Sequence, residues 1–235
     1  MHPAFSVIFL TTLIGTGQGL FLALFSGQAY TELKLLPSMA DTHFFGIGAI
    51  IVLLLLIAGL VSSVFHLGRP ERAWRAASMW RTSWLSREVI ALPAMMVVTF
   101  IYGAMHLLGM DGILYSTETN HLTFSLLVGA FGVVAAFALF ICTAMIYACI
   151  KFLQEWSSPL TVINYFLLGT ASGFTLATAY TSMYNAPEML KFYGVWAIIL
   201  TVAAFLTRAA SLIRNSRIKY KSNVQTAIGI RHNKI

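Results

Sequence analysis

Four side chains stand out in an otherwise apolar chain: His66, Glu88, Tyr147 and Trp156. An imidazole takes up or releases a proton near neutral pH, and a carboxylate can pass one on. A phenol and an indole each donate a hydrogen bond from an aromatic body. Polar and ionisable groups inside a membrane are costly, so each is a candidate for function. At a lipid–water boundary this set suits a quinone headgroup, whose carbonyl oxygens need donors and whose two-electron chemistry needs a proton relay. Each residue also has a plainer reading. His66 suits a helix C-terminus and Glu88 a first helical turn, where it could pair with Arg87 or another loop arginine. Tyr147 and Trp156 fit an interfacial aromatic belt. Only if all four meet on one face does the functional reading gain weight, and that depends on the elements carrying them.

Those elements are membrane spans. The chain has 235 residues, 58% apolar and 10% charged, against about 25% charged in a soluble domain. Crossing the hydrocarbon core takes about 20 apolar residues, and six such stretches are present: 4–30, 43–66, 86–108, 121–151, 159–184 and 190–213. Each must satisfy its backbone polar groups internally, so the spans are helices. The expected fold is an all-α polytopic membrane bundle. Residues 1–213 form one transmembrane anchor domain, and 214–235 a basic tail. Gly68 and Pro70 end the second span, and Pro93 is expected to bend the third. The fourth is longer than a bilayer needs, so it should tilt or project. Met1-His2-Pro3 lacks the basic start of a cleaved signal, and no small-residue cleavage site follows, so the first span is expected to be retained. Cys142 and Cys149 lie about 10 Å apart along one helix, too far for a disulfide. No metal-type spacing is present, which places any iron–sulfur cluster in another polypeptide.

Orientation follows from the basic residues. Up-and-down connectivity gathers thirteen Lys and Arg on one side and leaves two, Lys34 and Lys191, on the other, accounting for all fifteen. Both termini are therefore expected in the cytoplasm. The loop between the second and third spans carries Arg69, Arg72, Arg75 and Arg81 interleaved with Trp74, Trp80 and Trp84. Such a segment suits the membrane interface, with tryptophans at headgroup level and arginines snorkelling. It also suits a docking shelf for an acidic partner, built from Arg69, Arg72, Trp74, Arg75 and Arg81. His66, Glu88, Tyr147 and Trp156 all fall on this same side.

The run His66-Leu67-Gly68-x-Pro70-x-Arg72-Ala73, followed by Ser83-Trp84-Leu85-Ser86-Arg87-Glu88, resembles the anchor subunit of dimethyl sulfoxide reductase and its relatives. Tyr147, and Trp156 with Pro159, extend the resemblance, which covers about residues 3 to 185. The closing Gln225-Thr226-Ala227-Ile228-Gly229-Ile230-Arg231-His232 more weakly resembles a sulfite-oxidising branch. The resemblance implies an anchor that holds a ferredoxin-like iron–sulfur subunit, which in turn contacts a molybdopterin catalytic subunit. It implies electron exchange with menaquinone or ubiquinone near His66 and Glu88, with a looser match at Tyr147 and Trp156. No cofactor would be covalently bound to this chain, and the partners would be those subunits and lipid of a bacterial inner membrane, not nucleic acid. The family's best-known member has eight spans, two more than this sequence shows, but every element of the implied site lies in the first five.

Three other readings stay open on the sequence: a purely structural tether with no quinone site, a haem-bearing anchor and a transporter. His43, His106 and His121 fall toward the opposite side, where two of them could ligate a b-type haem. A transporter would show interrupted helices in paired repeats with ionisable groups near the midplane; in this chain the charges sit at span ends and no repeat is evident. Gln18 is the main mid-span exception, and it could simply hydrogen-bond a neighbouring helix.

Overall fold

The computed structural model describes residues 5–37, 43–65, 67, 69–110, 112–116 and 121–219. Six long apolar helices, each long enough to cross a bilayer, account for most of them: α1 (Phe5–Glu32), α2 (Phe44–Val64), α3 (Trp84–Leu108), α4 (Phe124–Ala148), α5 (Pro159–Thr181) and α6 (Pro187–Ser216). A 3-10 helix, Pro70–Met79, joins α2 to α3. Between α3 and α4 a short antiparallel hairpin pairs β1 (Ile113–Ser116) with β2 (His121–Thr123). The protein is an all-α polytopic membrane bundle.

Helix ends differ from the sequence expectation where local capping overrides hydropathy. The fourth span, expected to begin at His121, begins at Phe124 because Thr123 caps it, accepting from the Leu126 N–H at 3.3 Å. It closes at Ala148 rather than Lys151, a helix of 25 residues. α6 begins three residues earlier than expected because Pro187 takes its first position, where the missing N–H costs nothing. Pro159 opens α5 in the same way, behind the Ser158 cap. α3 runs on through Pro93 and stops at Gly109, whose φ of 65° supplies the left-handed turn that ends a helix.

α1 sits at the centre, packed against α2, α4 and α5; α3 bridges α2 and α4, and α6 lies outside against α5. Small residues let the central pair approach. Gly15 and Gly19 of α1 face Gly169 and Gly173 of α5, two small-xxx-small motifs that bring backbone against backbone. A Cβ on Gly173 would lie 2.0 Å from the carbonyl carbon of Gly19. At one end of the bundle Gln28 ties three helices together: its amide nitrogen donates to Ser125 of α4 at 2.7 Å, and its oxygen accepts from Tyr102 of α3 at 2.8 Å. The opposite end holds the chain's basic residues. Of the thirteen assigned to it, Lys221, Arg231 and Lys234 lie outside the described residues and ten remain within them.

Candidate functional site

At the basic end, α1, α4, α5 and α6 enclose a cavity of about 530 Å3. Its wall is partly aromatic. Tyr147 comes from the last turn of α4, Trp156 from the connection to α5, and Tyr165 from the second turn of α5. Trp156 stands edge-on to Tyr147 with centroids 5.4 Å apart, and Tyr165 stacks on Tyr147 at 5.6 Å. The connection folds back because its own turns close it and because α6 grips it. Arg214 donates to the carbonyl oxygens of Gln154 at 3.0 Å and Ser157 at 3.5 Å. Polar groups lie deeper. Gln18 of α1, Asn164 of α5, and Arg208 and Ser211 of α6 all face the same space.

Glu88 joins this site indirectly. Its side chain is buried, and it accepts a hydrogen bond from the hydroxyl of Thr143, one turn before Tyr147 on the cavity wall. The carboxylate is within electrostatic reach of Tyr147 and Tyr165. Among the described residues Glu88 makes no ion pair with Arg87 or another loop arginine, the plainer alternative for it. α3 begins at Trp84, which turns Glu88 inward against α4, while Arg87 turns outward over the Trp84 ring at 4.2 Å. Glu88 and Arg87 are adjacent in sequence but lie on different faces of one helix. His66, the fourth member of the set, lies outside the described residues.

The arginine–tryptophan loop is ordered by its own contacts. The 3-10 helix presents Arg72, Trp74 and Arg75 exposed, and Arg69 and Arg81 flank it, also exposed. Arg75 lies over Trp74 and Arg81 over Trp80, at 5.5 and 5.4 Å. Arg87 donates to the carbonyl oxygens of Trp80 at 2.9 Å and Arg81 at 2.8 Å, fastening the loop to the start of α3. The adjacent pair Glu71–Arg72, 3.9 Å apart and exposed, adds little.

The structure therefore brings Tyr147 and Trp156 into contact and places Glu88 one hydroxyl behind them. It adds Gln18, Tyr165, Asn164, Arg208 and Ser211, which sequence reasoning does not place at a site. A signal for them existed. The paired motifs Gly15-x-x-x-Gly19 and Gly169-x-x-x-Gly173 mark α1 and α5 as neighbours; Gln18 lies inside the first and Asn164 five residues before the second. Gln18 does not bond a neighbouring helix through its oxygen, which has no partner among the described residues. Of the three histidines considered for haem, His43 precedes α2, His121 belongs to β2, and the His106 ring packs on Tyr102 at 4.7 Å and Phe45 at 5.3 Å.

A bundle of six helices, each long and apolar enough to cross a bilayer, defines a multi-pass membrane protein. The chain matches the family described as DMSO reductase anchor subunit (DmsC) over residues 1–231, and it belongs to that family. It is 57% identical over 233 residues to one of the subunits of the sulfite dehydrogenase of Allochromatium vinosum, a match covering 99% of this chain and 71% of that protein. No solved structure matches it. Family membership makes it a membrane anchor subunit of a molybdoenzyme oxidoreductase complex.

Proposed function

We propose that this subunit docks an iron–sulfur partner on its arginine–tryptophan shelf and exchanges electrons between that partner and membrane quinone in the cavity beside Tyr147. The observation that carries this reading is the cavity itself. It has an aromatic wall for a flat ring and hydrogen-bonding side chains among its lining residues, and it lies at the basic end of the bundle. Ligand pockets of this kind are mostly apolar with a few placed polar groups. Reduction of a quinone consumes two electrons and two protons, and oxidation of the quinol releases them. The partner would supply or accept the electrons. On the protein side, Tyr147 and Trp156 hold the ring and offer donors. The Thr143 hydroxyl links the cavity wall to Glu88, which can hold a proton close to the headgroup. His66, two residues beyond the end of α2, takes its headgroup role from the family resemblance.

The basic end is proposed to face the cytoplasm of a bacterial inner membrane, by the thirteen-to-two distribution of Lys and Arg. A molybdopterin subunit would then bind through the iron–sulfur subunit. The relative's name, a sulfite dehydrogenase, favours sulfite as electron donor, with electrons passing into menaquinone or ubiquinone.

The test is a ratio. In membranes holding equal amounts of every subunit, quinone-linked turnover is divided by turnover with a soluble dye that meets the catalytic subunits directly. His66→Ala, Glu88→Gln and Tyr147→Phe should each lower this ratio, while dye-linked turnover survives. Glu88 is packed against α4, so the glutamine variant is chosen because it can still accept from Thr143. A ratio unchanged in all three variants would leave the protein a tether without a quinone site.

A further inference from the structure

Two arginines of α6 line the cavity, and only one of them is committed to the protein. Arg214 donates to the side-chain oxygen of Asn215 at 3.1 Å and to the carbonyl oxygens of Gln154 and Ser157 at 3.0 and 3.5 Å. The Arg208 guanidinium makes no hydrogen bond, ion pair or ring contact among the described residues. Its side chain is exposed, whereas Gln18 and Asn164 are 1% and 6% exposed and closed off by their neighbours. Of the polar groups below the aromatic wall, Arg208 is therefore the one placed to reach a molecule in the cavity. A guanidinium carries five N–H donors, no acceptor and a permanent charge.

The depth of Arg208 narrows what it can bind. The hydrogen bond from Asn164 to Ser211, 2.7 Å, sets the level of α6 against α5. Asn164 follows Pro159, the first residue of α5, by five positions, and Arg208 precedes Ser211 by three on the antiparallel α6. At about 1.5 Å per residue, the Arg208 backbone stands about 12 Å inside the start of α5. Helical side chains lean toward the N-terminus of their helix, which for α6 is away from the basic end. A cation at that depth is costly unless it faces a cavity with something to bind. A phospholipid phosphate stays at headgroup level, where interfacial tryptophans such as Trp156 stand, and would meet Arg214 before Arg208. The cavity's carboxylate, Glu155, belongs to the α4–α5 connection at that same outer level.

Resting on the reading of the cavity as a quinone site, we propose that Arg208 binds the quinone directly, its guanidinium donating to one carbonyl oxygen of the oxidised ring while Tyr147 and Trp156 hold the ring itself. A ligand for Arg208 must bring an acceptor on a body that suits an aromatic wall, and an oxidised quinone is such a molecule. In the reduced form each ring oxygen is a hydroxyl, a weaker acceptor because its lone pairs are shared with the ring. Arg208 thus favours the oxidised form on arrival. Its charge then offsets the negative charge that electrons from the partner place on that oxygen until protons follow.

The experiment is equilibrium binding, with no turnover. The full chain, purified in detergent with the subunits that stay bound to it, is titrated calorimetrically with one-isoprenoid benzoquinone and naphthoquinone, each in oxidised and reduced form. For the ring type that binds, Arg208→Gln should weaken the oxidised form about tenfold, as loss of a charged hydrogen bond does, and the reduced form by no more than about twofold. Arg208→Lys, which keeps a charged donor, should stay within about threefold of the unsubstituted protein. Arg208→Met, apolar at this depth, carries the test should the glutamine variant insert poorly. Unchanged binding of the oxidised form in Arg208→Gln and Arg208→Met overturns the proposal and leaves the quinone site standing. Equal weakening of both forms overturns it as well, since that is the mark of a packing role. Phosphorus analysis of the same preparations covers the lipid alternative: a tightly held phospholipid present in the unsubstituted protein and missing from Arg208→Gln overturns the proposal. No binding of either ring type in either form overturns it together with the quinone reading beneath it.

Discussion

Substitution of Gly173 by alanine tests whether the α1–α5 crossing holds the cavity together. A Cβ there would meet the Gly19 carbonyl carbon at 2.0 Å, the Leu20 nitrogen at 2.1 Å and the Gly19 Cα at 2.4 Å. All three are backbone atoms, so no side chain can swing aside. Bringing the shortest of them to ordinary contact near 3.4 Å parts the helices by about 1.4 Å. Overpacking of this sort costs about 1–3 kcal/mol and sometimes more; three backbone clashes place it at about 3–4 kcal/mol. Alanine returns about 1 kcal/mol through its better helix propensity, which leaves a net loss of about 2–3 kcal/mol. The control is Gly194→Ala, where the nearest atom is a Thr178 methyl at 3.7 Å and only the propensity gain remains. Thermal unfolding in detergent, followed by loss of helical circular dichroism, should give a midpoint about 5–10 °C lower for Gly173→Ala. Gly194→Ala should match or exceed the unsubstituted protein. Because Gln18 and Asn164 sit on the two helices being parted, Gly173→Ala should also weaken quinone-linked turnover in membranes. Equal midpoints for Gly173→Ala and the unsubstituted protein would show that the crossing is not tight.

Three further outcomes are expected. Reporter fusions at Asn215 and Gly112 should give cytoplasmic and periplasmic signals respectively; the reverse would overturn the orientation and the docking face with it. Reversing Arg72 and Arg75 together to Glu should release the iron–sulfur partner into the soluble fraction, since juxtaposed like charge costs several kcal/mol, and full retention with the anchor still inserted would rule out a shelf there. Gln28→Leu should destabilise the bundle by about 1–2 kcal/mol, because two buried hydrogen bonds are lost while Ser125 keeps Thr123 at 3.2 Å; an unfolding midpoint equal to that of the unsubstituted protein would show that these hydrogen bonds contribute no net stability.

Much of the architecture follows from local composition. Whether a stretch of chain enters hydrocarbon depends on its own residues, added one by one, and so the six spans and the basic side were legible without any contact being known. The arginine–tryptophan loop was legible for the same reason, since Arg87 and its neighbours order it within about twenty residues of chain. Helix ends were less legible, because a cap such as Thr123 or a first-turn Pro187 outweighs the hydropathy of its neighbours. The cavity was not legible. Its walls come from α1, α4, α5 and α6, whose residues are separated by up to about two hundred positions. Hydropathy says only that such helices will span, since lipid and a neighbouring helix are nearly equal surroundings for a leucine. Which faces meet was decided by close packing at Gly15, Gly19, Gly169 and Gly173. The packing of α3 on α4 turned Glu88 toward Thr143 and away from the arginines beside it in sequence. Sequence determined that polar groups stand at this end of the membrane; tertiary structure decided which of them face one another, because only the contact between helices determines which hydrogen bonds can be made.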